Sequence, residues 1–506
     1  MRENAADHAS PGIESPDCFG DRVTMATAIT VHTETPEAFS WQATTPKAKS
    51  LTHRFALLCV WLSVATAFFV FSEPAPVDAL VMGLFILLPA VGLFEAHRAI
   101  VVGFALWMVV AVFTIISCVM SRDMDTAAQH SFVSFYLYGA CFLYAGFVCK
   151  NPEAHTRLIL QAYFTATLAA AMLGIVGYFD LFPGAFDLLT RFGRATGTFK
   201  DPNVFGPFLI PGLLTALHLF LIRPVRRAAL PLAAASLLTL AILLSFSRGA
   251  WAATSIALAI YCYVYLHSAE RAADRLKLAG LAMTGTVILG LLLAVAWQSN
   301  GIATLLEERA ALTQPYDEGP DGRFGGQAKA VGLILENPLG IGAQAFTIFY
   351  HHEEAHNVYL SVLMSAGWIG GLLYFFICAG TLALGLQHAF KRTKTQHYFV
   401  IAYAALAGTI IEGALIDTDH WRHFYLLMGI VWGLMAADRR AVRATRIVRD
   451  VTPVLRRAVL IVPPTSRSVR IVGRVNVQRC LPSSQSAGLR PPAARNNRII
   501  GRHSSA

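Results

Sequence analysis

The side chains best able to do chemistry in this chain are a set of cations and one histidine. Arg191, Arg194 and Lys200 lie close together. Arg248 stands in Ser245-Phe246-Ser247-Arg248-Gly249. Arg309, Arg323 and Lys329 follow in a long polar stretch that ends at His356-Asn357. A guanidinium presents a planar fork of donors that matches phosphate oxygens, so a group of them suits a diphosphate. Pairing of single arginines with nearby Asp or Glu is the plainer alternative. An imidazole titrates near neutrality and can act as a general base; a histidine at a membrane interface can equally be a polar anchor. His352-Glu353-Glu354-Ala355-His356 also fits HExxH, in which two His one helical turn apart hold zinc and the Glu activates water. Against that reading, no obvious third ligand follows, and Gly340-Ile341-Gly342-Ala343 with His351 suggests a loop and not a helix start. Asp417, Asp419, His420 and Arg422 crowd a further short turn. They could contact a sugar or support a base, though a salt-bridged helix end is the simpler account.

The elements that must position these groups are membrane helices. Of 506 residues, 55% are hydrophobic and only 14% charged, and the mean hydropathy is +0.52. An ordinary soluble domain carries about 25% charged residues, so a set of soluble domains, a disordered chain and a nucleic-acid binder are all excluded. The net charge of +10 resides in an appendage: from Arg439 onward the chain holds 15 Arg and no Lys, and the rest is nearly balanced. The eight cysteines form no CxxC pair, which predicts neither a disulfide framework nor a thiolate metal site.

A bilayer core needs about 20 consecutive apolar residues per helix. Such runs occur near 55–72, 77–94, 99–120, 131–149, 158–178, 203–222, 228–245, 249–267, 278–297, 358–387, 397–416 and 422–437. They predict an all-α polytopic membrane protein with about 12 transmembrane helices. The run 358–387 is interrupted by Gly367, Gly370 and Gly371, which predicts a short interfacial helix followed by a span. Alternate short loops collect Lys and Arg: Arg98; Lys150 and Arg157; Arg223, Arg226 and Arg227; Arg271, Arg275 and Lys277; Lys391, Arg392 and Lys394. The positive-inside rule puts these loops and both termini in the cytoplasm. Residues 1–50 read as a disordered cytoplasmic leader, 51–438 as the transmembrane domain and 439–506 as a disordered Arg-rich tail. Two long loops, about 179–202 and 298–357, then face outward. Loops of that length are usually functional or disordered, and the second is large enough to form a helical cap.

Four segments, in order, resemble the O-antigen ligase and O-antigen polymerase superfamily of bacterial membrane glycosyltransferases. They are Arg194-Ala195-Thr196-Gly197-Thr198-Phe199-Lys200-Asp201-Pro202-Asn203; Ser245-Phe246-Ser247-Arg248-Gly249-Ala250; Gly322-Arg323 followed by Glu336-Asn337-Pro338-Leu339-Gly340-Ile341-Gly342; and His356-Asn357, nine residues, then Gly367. Gln327 stands where many members have Trp. The resemblance covers roughly residues 50–437. It implies a metal-independent glycosyltransferase with no cofactor, active at the periplasmic face of the inner membrane. Its donor would be a glycan on undecaprenyl diphosphate, and its acceptor the lipopolysaccharide core (a ligase) or a growing glycan (a polymerase). The resemblance implies that His356 is the catalytic base, that Arg323, also catalytic, and Arg248 are the best candidates for the donor diphosphate, and that Arg194, Lys200 and Arg191 are weaker ones. Asn357, Asp417 and Asp419 are candidates for sugar binding or support. The polyprenyl tail would need a lateral groove between helices.

Overall fold

The computed structural model describes residues 46–298 and 319–460. The expected leader (up to residue 45), Arg309 and the tail beyond 460 lie outside the described residues. The chain divides into a short unit, Met1–Lys49, and a main unit, Ser50–Ala506; all that follows concerns the latter.

Each of the twelve apolar runs overlaps a helix, although 55–72, 77–94 and 397–416 extend past the helix ends at Ala65, Ala90 and Glu412. In order these are α1 (Pro46–Ala65), α2 (Pro76–Ala90), α3 (Arg98–Val119), α4 (Met124–Lys150), α5 (Pro152–Tyr178), then after a five-residue turn of helix, α6 (Ala185–Leu189), α7 (Pro202–Ile222), α8 (Ala229–Leu244), α9 (Arg248–Ser268) and α10 (Ala272–Ala296). The cap contributes α11 (Arg323–Glu336) and α12 (Ala345–Phe349), and the chain re-enters the bundle through α13 (Val358–Ala389), α14 (Gln396–Glu412) and α15 (Arg422–Leu460). The β-structure among the described residues is a two-residue ribbon pairing Thr190–Arg191 with Arg194–Ala195.

Against the expected count of about twelve, six of these helices are long and apolar enough to cross a membrane: α3, α4, α5, α7, α9 and α13. Three shorter apolar helices accompany them, within α1, α2 and α8. Burial follows lipid logic and not water logic. In α3 only a third of the apolar window is buried, and Val102, Val109, Val112 and Ile115 point outward. A helix apolar all round but half uncovered is stable when its outer surface is hydrocarbon. The protein is thus a multi-pass membrane protein. α15 runs on to Leu460, past position 439 where the sequence predicts disorder to begin.

The interruption expected in the 358–387 run is a break at Gly367, whose φ of 64° and ψ of −174° lie outside any helix. The break is forced by a close crossing. A Cβ on Gly367 would meet the Pro338 carbonyl oxygen at 2.6 Å, and one on Gly340 would meet the Met364 carbonyl oxygen at 2.6 Å. Two glycines let two backbones touch, and the contact is sealed by Ile341 N donating to Met364 O (2.8 Å) and Trp368 N to Pro338 O (2.9 Å). The cap is thereby fixed to the bundle beside the His356 segment.

Candidate active site

Arg323 opens α11, and Gln327 lies one helical turn on, so both side chains share one face. That face grips the segment carrying the imidazole. Arg323 Nη2 donates to the His356 carbonyl (3.3 Å) and also to the Leu415 carbonyl. Gln327 Nε2 donates to the Ala355 carbonyl (3.2 Å). Two successive carbonyls are therefore held from one helix. The grip has a purpose, because His356 has a φ of 47°, a left-handed conformation that costs a non-glycine residue about 1–3 kcal/mol and persists only where its surroundings impose it. Asn357 follows as the N-cap of α13. Its side-chain oxygen accepts from Tyr359 N (3.1 Å) and Leu360 N (3.3 Å), and its Nδ2 donates to Ala414 O (3.2 Å). Asn357 is thus a cap and a tie, not a free sugar contact.

Behind His356 lies the turn after α14. Val358 N donates to Gly413 O at 2.8 Å. The Asp417 carboxylate accepts from Ser361 Oγ and from the His356 backbone. Burial, with the charge of Asp419, pushes the Asp417 carboxyl up to about 7; Ser361 opposes that, and Glu354 adds to it. Burial raises Asp419 as well. His356 is shifted the other way. Burial and the Arg323 guanidinium hold its imidazole below the ordinary value, while Glu353 and Asp201 pull it back up. Glu353 Oε2 is 3.6 Å from His356 Nε2. The net downward shift favours the unprotonated imidazole that a proton acceptor requires.

The other two motifs are tied to each other by side-chain hydrogen bonds and approach this centre at Glu412 and Asp201. Arg194 Nε donates to Ser245 O (2.7 Å) and its Nη2 to Asn203 Oδ1 (2.8 Å), while Ser247 Oγ donates to the same Asn203 oxygen (2.8 Å). Ser247 also caps α9, accepting from Ala250 N. Arg248 is the first residue of that helix. Next to it, a Cβ on Gly249 would meet Glu412 Oε1 at 2.8 Å, and Glu412 ends α14 just before the turn that braces His356. Asp201, close enough to influence the imidazole, comes from the Arg194 segment. Four motifs spread over some 170 residues thus form one continuous patch at one end of the bundle.

Two further candidate cations have partners within the protein. Arg191 Nη1 donates to Lys200 O (2.7 Å), and Lys200 Nζ pairs with Glu73 at 3.3 Å. Both brace the first loop. The salt-bridged helix end expected for Asp417, Asp419 and Arg422 is not formed among those residues. Arg422 instead makes a two-pronged contact with Asp78 of α2, 2.7 Å on each branch. The HExxH geometry is absent too: residues 351–357 form no helix, and His352 points into solvent. His130, Asp419 and His420 offer nitrogen and oxygen atoms within 4.8 Å of one another, the one group among the described residues able to hold a metal ion. The two rings stack at 3.8 Å, however, and Ser134 Oγ lies 2.9 Å from His420 Nε2, so mutual packing accounts for them.

Sequence reading missed Gln327 as a clamp, treating it only as a departure, and passed over Glu353 and Asp201 as partners of the imidazole. The i, i+4 spacing from Arg323 was the available signal for Gln327. No curated protein matches the chain. Residues 233–375, which contain Arg248, Arg323 and His356, match the family model described as O-Antigen ligase, in agreement with the resemblance read from the four motif segments.

Proposed function

We propose that the protein transfers a glycan from undecaprenyl diphosphate to a lipopolysaccharide-core or other glycan acceptor at the periplasmic face of the inner membrane, with both of its termini in the cytoplasm. The observation that carries this reading is the Arg323 clamp. One guanidinium holds the carbonyls of His356 and Leu415 and so lies beside an imidazole whose proton affinity it lowers.

The acceptor hydroxyl attacks the anomeric carbon, and His356 takes its proton. The new C1–O bond forms as the C1–O bond to the diphosphate breaks, so attack from the opposite face inverts the anomeric centre. The electron pair leaves on the lipid diphosphate. Arg323 and Arg248 receive that charge, since donors already in place stabilise charge that develops late without reorganising. They take the part a metal ion plays in other phosphate chemistry. Glu353, 3.6 Å from His356 Nε2, stabilises the imidazolium formed. Arg194 shapes the donor side by fixing the Ser245–Ser247 turn next to Arg248, and Arg191 and Lys200 keep the first loop folded over it.

A polymerase would share every one of these donor steps and differ only in acceptor. The test is the purified protein with an undecaprenyl-diphosphate glycan, offered lipopolysaccharide core in one arm and a second lipid-linked repeat in the other. Transfer to core supports the ligase, and chain extension supports the polymerase. No transfer in either arm, or transfer undiminished in both His356→Ala and Arg323→Ala, refutes the mechanism.

A further inference from the structure

A cavity of about 540 Å³ opens between α3, α13 and α15, well away from the site just described. Its walls are apolar, with Leu106, Phe376 and Leu384 among them, and its mouth carries Arg98 and Arg439. The space exists because glycines face it. A Cβ on Gly380 would meet nothing within 4 Å. On the opposite wall Trp432 lies flat over Gly103, where a Cβ would fall 2.4 Å from the indole, and the indole is pinned by its Nε1 donating to Thr381 Oγ1 (3.0 Å). The hollow is therefore a formed one and not a gap left by loose packing.

The level of the two arginines is set by helix geometry. Arg439 lies 17 residues beyond Arg422 on α15, about 25 Å along the axis. Arg98 lies 19 residues before Ser117 on α3, about 28 Å away, and Ser117 Oγ accepts from Gly342 N in the cap. Both arginines therefore stand one hydrocarbon thickness from the catalytic end, at headgroup depth of the other leaflet. Both side chains are exposed. Neither has a protein hydrogen bond or ion pair among the described residues, whereas the adjacent Arg440 is paired with Glu95. Arg98 even opens its helix, where the dipole disfavours a cation.

We propose that this cavity holds one anionic phospholipid, an acyl chain lying along Leu106, Phe376 and Leu384 and the headgroup phosphate between Arg98 and Arg439. Charge and shape argue for that occupant: the hollow is apolar along its length and doubly cationic at one end only. The polyprenyl chain of the donor fits the apolar part alone, because its diphosphate belongs at the opposite end of the bundle. The site lies outside the glycosyl-transfer machinery, and only the exclusion of the polyprenyl chain rests on the proposed function.

The test is native mass spectrometry of the purified full-length protein, reconstituted beforehand in nanodiscs of phosphatidylglycerol and phosphatidylethanolamine in equal parts. One retained phosphatidylglycerol per chain is expected. Each of Arg98→Gln and Arg439→Gln lowers retention about fivefold, the worth of one cation facing an anionic lipid. Gly380→Leu, which fills the hollow and leaves both charges, abolishes it. Phosphatidylglycerol with brominated chains quenches a tryptophan signal that disappears in Trp432→Phe, a readout that needs no surviving adduct in the gas phase. Glycan transfer by the arginine variants stays near that of the parent, which guards against misfolding. Equal retention of both lipids, indifference to the arginine substitutions, or a retained mass that is a polyprenyl phosphate would each overturn the proposal.

Discussion

The two long loops carry the same kinds of cation and use them differently. In the first, Arg194 spans from Asn203 to the Ser245 carbonyl, Arg191 holds the Lys200 carbonyl, and Lys200 reaches Glu73. These contacts join loop to loop and helix start to helix end. In the second, Arg323 and Gln327 hold three carbonyls, two of them belonging to Ala355 and His356. There the cation fixes an imidazole in a left-handed backbone and lowers its proton affinity as well. The lesson is that a guanidinium in a family motif can be an architectural brace or part of the reacting centre. What separates the two is whether the chain it grips carries a proton acceptor.

That contrast predicts a graded series of effects. His356→Ala should lower transfer in a purified assay by about 10²–10⁴-fold, the usual worth of a general base, with no change in detergent melting temperature. Arg323→Ala should lower kcat by about 10²–10³-fold, the loss expected for a donor to developing charge. Arg323→Lys should not restore it, because an ammonium lacks the planar set of donors that a guanidinium offers to phosphate oxygens. Arg194→Ala should act chiefly on folding. Its charged hydrogen bonds are worth about 1.5–3 kcal/mol each, so the melting temperature and the yield should fall while the surviving folded fraction keeps most of its kcat. An Arg194→Ala enzyme that is fully stable yet inactive would erase the distinction between the loops.

Smaller effects sharpen it. Because His356 must be neutral to accept a proton and is held below its ordinary value, kcat/KM should fall only as the pH drops below about 6.5. Glu353 raises that value, so Glu353→Gln should move the acid limb further down, and a shift upward would contradict its assignment as the imidazolium's partner. His352→Ala should change transfer less than about twofold, since His352 is exposed and off any helix; a large loss with sensitivity to chelators would revive the zinc reading.

Much of the fold was legible because hydrocarbon selects long apolar runs, and each of the twelve runs found in the sequence overlaps a helix. The break at Gly367 was legible from its glycine cluster. The number of membrane crossings was less so: runs such as 278–297 and 422–437 lie on helices that also carry charge or extend beyond the apolar segment, and six helices meet the length and composition needed to cross. The motif residues were visible in order, yet their partners were not. Gln327 and Asp201 look ordinary in sequence, because their roles come from contacts with Ala355 and His356 far along the chain.

The amino-acid sequence alone determined the membrane environment, the helical class and the order of the motif segments, since these depend on local hydropathy and on short spacings. Only the tertiary structure decided which arginines brace loops and which one holds the imidazole. It also decided that Arg422 belongs to Asp78 and that glycines meet where the cap crosses the bundle. A guanidinium reaches several ångströms in any direction, so its partner is chosen by which backbone is brought near it, and that is a property of packing.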